Sequence, residues 1–386
     1  MHCCSKKGKY KDISHRTSVL VPVTGINQEY YDFVESSSQI ANESARSGMR
    51  KVQNRLMRSP YSEIHIPPDC TFNMVEENYF AKQSGFTVGS WKKYEAAEFQ
   101  TVKLNIFKGS TSKIHLVIHK KSSFIGIMKV LPPSKMSEAR TELNVLSLSR
   151  DSPFIIRVMD GFVLENYYIF LEFAPFRTLD HLTQAMRGLG SDCARLYAME
   201  VTCALKFLHE RNIMHRDVKP ENIYILLSGH VALADLGSSL RMDGDTIVSA
   251  ACGTYVTRPP EVWSGHPYSK SVDIWQFGMT LFNIISNSWP IVHPNREKHI
   301  SLVNNGKILF SDHFKDDAST NLIGKMLQIN PNRRLTSSQI LKHEYFEPLK
   351  EPYSPPFTPL QLFNLFDLGE EEVVIKVLVN SLESTL

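Results

Sequence analysis

The chain has 386 residues, 42% of them hydrophobic and 22% charged; this is the composition of an ordinary globular protein and excludes wholesale disorder or a fibrous repeat. The formal charge is only +3 and the six cysteines follow neither a disulfide framework nor a paired metal-ligand spacing, while no apolar run reaches the roughly 18 residues that cross a bilayer. An intracellular protein without a transmembrane segment is expected, with cytoplasm or nucleus left open.

Residues 1–95 are rich in Ser, Asn and charge with no lasting apolar period, and are expected to form a partly disordered N-terminal extension. Within residues 1–16, Lys6, Lys7, Lys9, Lys11 and Arg16 stand against Asp12 alone, beside Cys3 and Cys4. Dual acylation of that cysteine pair is open, whereas His2 excludes myristoylation. A second basic cluster, Arg46, Arg50, Lys51, Arg55 and Arg58, has no acid among residues 46–58, which suits an anionic partner or simply a solvated face.

From about residue 100 the texture changes. Residues 104–107, 114–118 and 123–130 read as three short strands of an antiparallel sheet. Pro132 and Pro133 stop that pattern, and residues 137–149 read as a helix with Leu143, Val145 and Leu146 on its apolar side. A strand pair is expected at 155–159 and 167–173. Beyond Pro175 the periodicity is helical, first over 182–186 and then over 191–210, where Leu196, Met199, Cys203, Leu205 and Leu208 recur near helical spacing. A strand-rich small lobe joined at about 172–177 to a mainly helical large lobe is an α+β two-lobed layout with a ligand cleft between the lobes. After Phe346, the run of Pro348, Pro352, Pro355, Pro356 and Pro359 predicts an extended linker. Residues 373–382, behind the acidic 370–372, predict an amphipathic C-terminal helix that docks on the body or binds a partner.

The chemistry-bearing residues are concentrated in the second lobe. His215-Arg216-Asp217-Val218-Lys219-Pro220-Glu221-Asn222 resembles the catalytic loop of eukaryotic protein kinases, H-R-D followed by Asn. Leu233-Ala234-Asp235-Leu236-Gly237 stands where that family has D-F-G, with Leu236 keeping an apolar plug. Upstream, Ile127-Met128-Lys129 matches the strand lysine, with Glu142 preferred over Glu138 as its ion-pair partner. Downstream, Gly253-Thr254 and Pro259-Pro260-Glu261 resemble the end of an activation segment. The helix beginning Asp273-Ile274-Trp275 resembles the one that anchors the catalytic loop, and Arg334 is the expected buried partner of Glu261. On these motifs residues 100–346 are identified as a divergent member of the eukaryotic-type serine/threonine protein kinase family, with a two-lobed protein-kinase-like fold. The divergence itself is similar to that of kinases encoded by large DNA viruses.

The resemblance implies transfer of the γ-phosphate of Mg-ATP to Ser or Thr hydroxyls of protein substrates. Asp217 would orient the nucleophile, Lys219 would neutralise developing charge, and Asn222 and Asp235 would hold Mg2+. Lys129 and Glu142 would position ATP, with Phe107, Gly109 and Ile114 above it and Glu172 and Ala174 at the hinge. Lys219 and Thr254 favour Ser or Thr over Tyr as acceptor. Of the acids that basophilic relatives use to read substrate, only Glu221 is present; the other two positions are Thr178 and Asn283. Asp180 is open between a ribose contact and an ordinary helix-start carboxylate. Arg216 could clamp a phosphorylated activation segment, but Ala250 stands where many relatives carry the phosphorylated threonine, leaving Ser249, Thr246 or no such switch. Only Gly109 remains of the glycine loop. A catalytically silent scaffold and a nucleic-acid-binding protein working through residues 46–58 therefore stand as alternatives.

Overall fold

A computed structural model of the chain describes residues 99–366 apart from 109–111, 121–123, 164, 243–247, 307, 309, 311–313, 315–316, 350–353, 359–360 and 363–364. The expectations for residues 1–95, Cys3, Cys4, the 46–58 cluster, Gly109, Thr246 and the 373–382 helix lie outside the described residues. Everything described belongs to one compact unit, residues 42–386.

The small lobe is a sheet of five strands among the described residues, all pairs antiparallel: β1 (Phe99–Lys108), β2 (Lys113–His119), β3 (Phe124–Leu131), β4 (Val158–Val163) and β5 (Tyr167–Glu172), in the spatial order β1-β2-β3-β5-β4. The alternation of β3 explains its place. Ile125, Ile127 and Leu131 join the main core, while Met128 turns to the other face with Val117 and Phe170. Gly126 permits the close approach of β3 to β5, since a Cβ there would stand 2.2 Å from Phe170 Cε2 and 2.5 Å from the Leu171 carbonyl. Register sets Lys129 opposite Ile114 on one side and Ile169 on the other, and places the backbone of Phe107 opposite Ile114.

Pro133 opens a short 3-10 turn, and helix α1 (Met136–Leu148) follows it. Of its buried residues, Ala139, Leu143 and Leu146 follow one another at four and three positions, and Glu142 and Val145 widen that stripe on the side facing the sheet. The expected strand at 155–159 is displaced. Phe154 and Ile156 exchange backbone hydrogen bonds with Leu233 of the other lobe, so the small-lobe strand starts only at Val158. Periodicity reports burial on both sides of that boundary and cannot say which sheet collects the hydrogen bonds.

The large lobe starts with α2 (Leu179–Met186), one turn longer at its start than expected, and α3 (Gly190–Glu210). Short strands β6 (Ile213–Met214), β7 (Ile223–Ile225), β8 (Val231–Leu233) and β9 (Leu240–Arg241) pair as β6 with β9 and β7 with β8. Helices α4 (Pro260–Trp263), α5 (Ser271–Ser286), α6 (Arg296–Asn305), α7 (Asp317–Met326) and α8 (Ser337–Leu341) complete it. Both α3 and α5 are buried over nearly their whole circumference, which makes them the axis on which the loops are hung. Arg334 reaches Glu261 with two bonds of 2.6 and 2.7 Å, both side chains buried, as the motifs predicted.

The proline-rich stretch after Phe346 is not a free linker. Phe357 and Leu362 are buried in the main core, the Phe357 carbonyl lies against Gly229, and the Arg177 guanidinium sits 5.8 Å over the Phe366 ring. Prolines set an extended backbone, but two buried apolar side chains decide where it lies. Among the described residues no helix is long and apolar enough to cross a membrane.

Candidate active site

A cavity of about 580 Å³ opens between the lobes. Its apolar wall includes Ile114 and Ile127 from the sheet, Leu171 and Ala174 at the hinge, and Ile156 and Tyr224 beneath; Lys129, Glu142, Asp217, Lys219, Asn222 and Asp235 form the polar end. Glu172 also lines it. Nine of the eleven expected site residues therefore meet in one space. Gly109 and the side chain of Phe107 are outside what is described.

Lys129 projects from β3 to both Glu142 oxygens at 2.8 Å and to Asp235 Oδ1 at 3.0 Å. Glu138, the rival, pairs instead with Lys135 one turn away. Burial would lower the Lys129 pKa, but the two carboxylates win and push it up, so the ammonium persists at neutral pH. Asp235 is also raised by burial and lowered by Lys129, and the net direction is down, leaving it ionised. It holds φ of +60°, and Arg216 holds +68°. Left-handed backbone in two non-glycine residues is strain that the surrounding hydrogen bonds must hold.

Asp217 is gripped from three sides. Its Oδ1 accepts from the Thr254 N–H (2.9 Å) and hydroxyl (2.8 Å). Lys219 Nζ lies 2.8 Å from Oδ2 and also donates to the Thr254 hydroxyl at 2.8 Å. Asn222 Nδ2 donates to the Asp217 carbonyl (2.8 Å) and to Oδ2 (3.2 Å). With its nitrogen so committed, the Asn222 end left for a hard cation is its oxygen, and with the ionised Asp235 it makes an all-oxygen donor set of the kind Mg2+ takes.

The loop itself is fixed by side chains of α5. Asp273 accepts from the N–H groups of His215 (2.9 Å) and Arg216 (2.7 Å) and binds His209 at 2.8 Å. Burial alone would raise its pKa, yet these partners hold it below the ordinary carboxylate range. Gln276 accepts from Val218 N–H at 3.1 Å and donates to the Arg216 carbonyl at 2.8 Å. His215 Nδ1 accepts from Asp217 N–H, which leaves Nε2–H to donate to the Ala234 carbonyl at 3.0 Å and ties the Asp217 loop to the Asp235 turn. Leu236 is wholly buried beside that turn.

Other expectations are placed differently. Asp180 accepts from Gln184 one turn further on and does not line the cavity, the helix-start role. Thr178 and Glu221 line it, whereas Asn283 is buried and donates to the Ser288 carbonyl. The sequence reading missed Tyr224 in the cavity wall and Gln276 under the loop. Tyr224 lies two residues after Asn222 on the strand that follows it, so the period of two was the available signal; a buried glutamine in an apolar helix was the signal for Gln276.

The protein kinase domain model matches residues 101–346. The chain belongs to the protein kinase family. "Protein kinase 3" of Dictyostelium discoideum is 31% identical over 299 residues, covering 70% of this chain and 32% of that protein. "3-phosphoinositide-dependent protein kinase B" of the same organism is 28% identical, covering 83% and 35%. The human phosphorylase b kinase gamma catalytic chain, liver/testis isoform, is 30% identical over 283 residues, covering 67% and 69%. The chain thus spans about a third of the length of the two Dictyostelium proteins.

Proposed function

We propose that the chain is a serine/threonine protein kinase that transfers the γ-phosphate of Mg-ATP to hydroxyls of protein substrates. The observation that carries this reading is the convergence of Lys129, Asp217, Asn222 and Asp235 in one cavity with a ready set of counter-charges. The family generally uses ATP and Mg2+, and the residues present fit both.

Lys129, oriented by Glu142, presents a compact cation to the nucleotide phosphates. Asn222 and Asp235 would hold Mg2+, which when bound neutralises phosphate charge. Asp217 accepts the proton of the attacking hydroxyl; its Oδ1 and Oδ2 are held by Thr254 and Lys219, so the carboxylate enters the reaction already oriented. Lys219 then stands beside the reacting oxygens to balance developing negative charge. Ile114, Ile127, Leu171 and Ala174 give the end of the cavity away from Asp217 an apolar wall suited to the flat ring system of the nucleotide.

The test is transfer of labelled phosphate from Mg-ATP to a mixed Ser/Thr peptide library. Asp217→Asn is expected to reduce labelling by about 10²–10⁴-fold, the range for a positioned general base. Equal labelling by wild type and variant, or none by the wild type, would overturn the reading.

A further inference from the structure

Residues 248–254 bring Thr254 to Asp217, and their backbone carbonyls are held in sequence by protein donors. Tyr268 N–H donates to the Val248 carbonyl (2.9 Å) and the Tyr268 hydroxyl to the Ala250 carbonyl (2.7 Å). Arg258 Nε and Nη2 donate to the carbonyls of Cys252 (3.0 Å) and Gly253 (2.8 Å). Gly253 meets the sharpest constraint, with φ of +78° and an added Cβ only 2.4 Å from Gln276 Nε2.

The Tyr268 ring is buried with Met214, Val248, Val262 and Val272, so its oxygen is a fixed point. That oxygen also accepts from Arg216 Nη1 at 3.3 Å, and Arg216 Nε donates to the Ser238 carbonyl at 2.6 Å. One phenol thereby links the residue preceding Asp217, the stretch that carries Thr254 and, through Arg216, the turn after Asp235. Ala250 has no hydroxyl to modify; its carbonyl is the atom held. Between Val248 and Gly253 only Ser249 carries a hydroxyl, and it is exposed.

We propose that Tyr268 is a positioning residue whose hydroxyl, bridging Arg216 and Ala250, aligns Thr254 on Asp217 without a covalent phosphate on residues 248–254. The proposal rests on the kinase reading above. It also rests on a donor that persists: burial, with the Cys252 thiol alongside, pushes the phenol up to about 12, so it stays protonated at neutral pH.

Tyr268→Phe keeps the buried ring and removes only the bridge. Its kcat is expected to fall about tenfold, the cost of a hydrogen-bond pair engaged at the reacting geometry, with KM for ATP unchanged because no ATP-cavity residue is altered. Phosphatase treatment of the full chain, and Ser249→Ala, are expected to leave kcat unchanged. Deuterium uptake of amides 248–254 supplies a readout that does not need activity: protected in the wild type before and after phosphatase, faster in Tyr268→Phe with the rest of the protein unchanged. A wild type that transfers no phosphate would sink the kinase reading while the exchange experiment still decides the bridge. Unchanged uptake and kcat in Tyr268→Phe, or loss of wild-type activity or protection on phosphatase treatment, would overturn the proposal.

Discussion

Burial pushes the Glu172 carboxyl from its ordinary 4.5 up to about 7, against the Arg157 guanidinium 4.0 Å away. Between those two values the folded chain holds a proton that the unfolded chain has lost, so stability falls as pH rises through this window and is flat above it. Glu172→Gln removes the penalty. It is expected to raise unfolding free energy at pH 8 by about 1–3 kcal/mol, below the ceiling of about 1.4 per pH unit because the side chain is partly open and partly compensated, and to change it little near pH 4.5. Urea unfolding at the two pH values checks this, and equal effects at both would refute it. At this scale the identities of Lys129, Glu142, Asp217, Lys219, Asn222 and Asp235 were legible because their motifs are short and local. The grip of Thr254 on both Asp217 and Lys219 was legible only as a neighbourhood, since its hydrogen bonds span 35 or more residues of sequence.

Between elements, the buried pair of Glu261 with Arg334 joins the start of α4 to the segment before α8. Arg334 also donates to the carbonyls of Ser271 and Gln328, so its five donors are well used. Glu261→Ala leaves a buried guanidinium without its carboxylate and is expected to cost about 3–5 kcal/mol of unfolding free energy. The double change Glu261→Leu with Arg334→Met is expected to cost less than Glu261→Ala alone, because no uncompensated charge remains. Denaturant titrations of both test it; a double variant less stable than the single would show that the arginine's backbone contacts matter more than the pair. Helices α1, α2 and α3 were legible from periodicity, whereas α5 was read from its resemblance alone and α4, α6, α7 and α8 were not read at all. The strand at 158–163 was misplaced because residues 154–156 give their hydrogen bonds to β8, a partner nearly 80 residues away that no local pattern names.

The whole molecule does not end its packing where the family match ends. Removing residues 347–386 would uncover the core sites of Phe357 and Leu362. The truncated chain is expected to lose about 3–6 kcal/mol of stability at about 1.5–3 kcal/mol per buried side chain, seen as a lower urea midpoint; an unchanged midpoint would show that this contact adds nothing. The two-lobed α+β plan was determined by the sequence alone, because a switch from period two to period 3.6 near residue 175 is a local property of the chain. So were Lys129, Glu142, Asp217, Lys219, Asn222 and Asp235 as candidates, whereas Tyr224, Gln276 and Tyr268 were not read. What only the tertiary structure decided is their relation: Lys129 between two carboxylates from different lobes, α5 side chains bearing the 215–222 loop, Tyr268 joining Arg216 to Ala250, and a proline-rich tail folded onto the body. Each of these is a contact between residues far apart in sequence, set by which surfaces exclude water together and which buried polar groups find partners there.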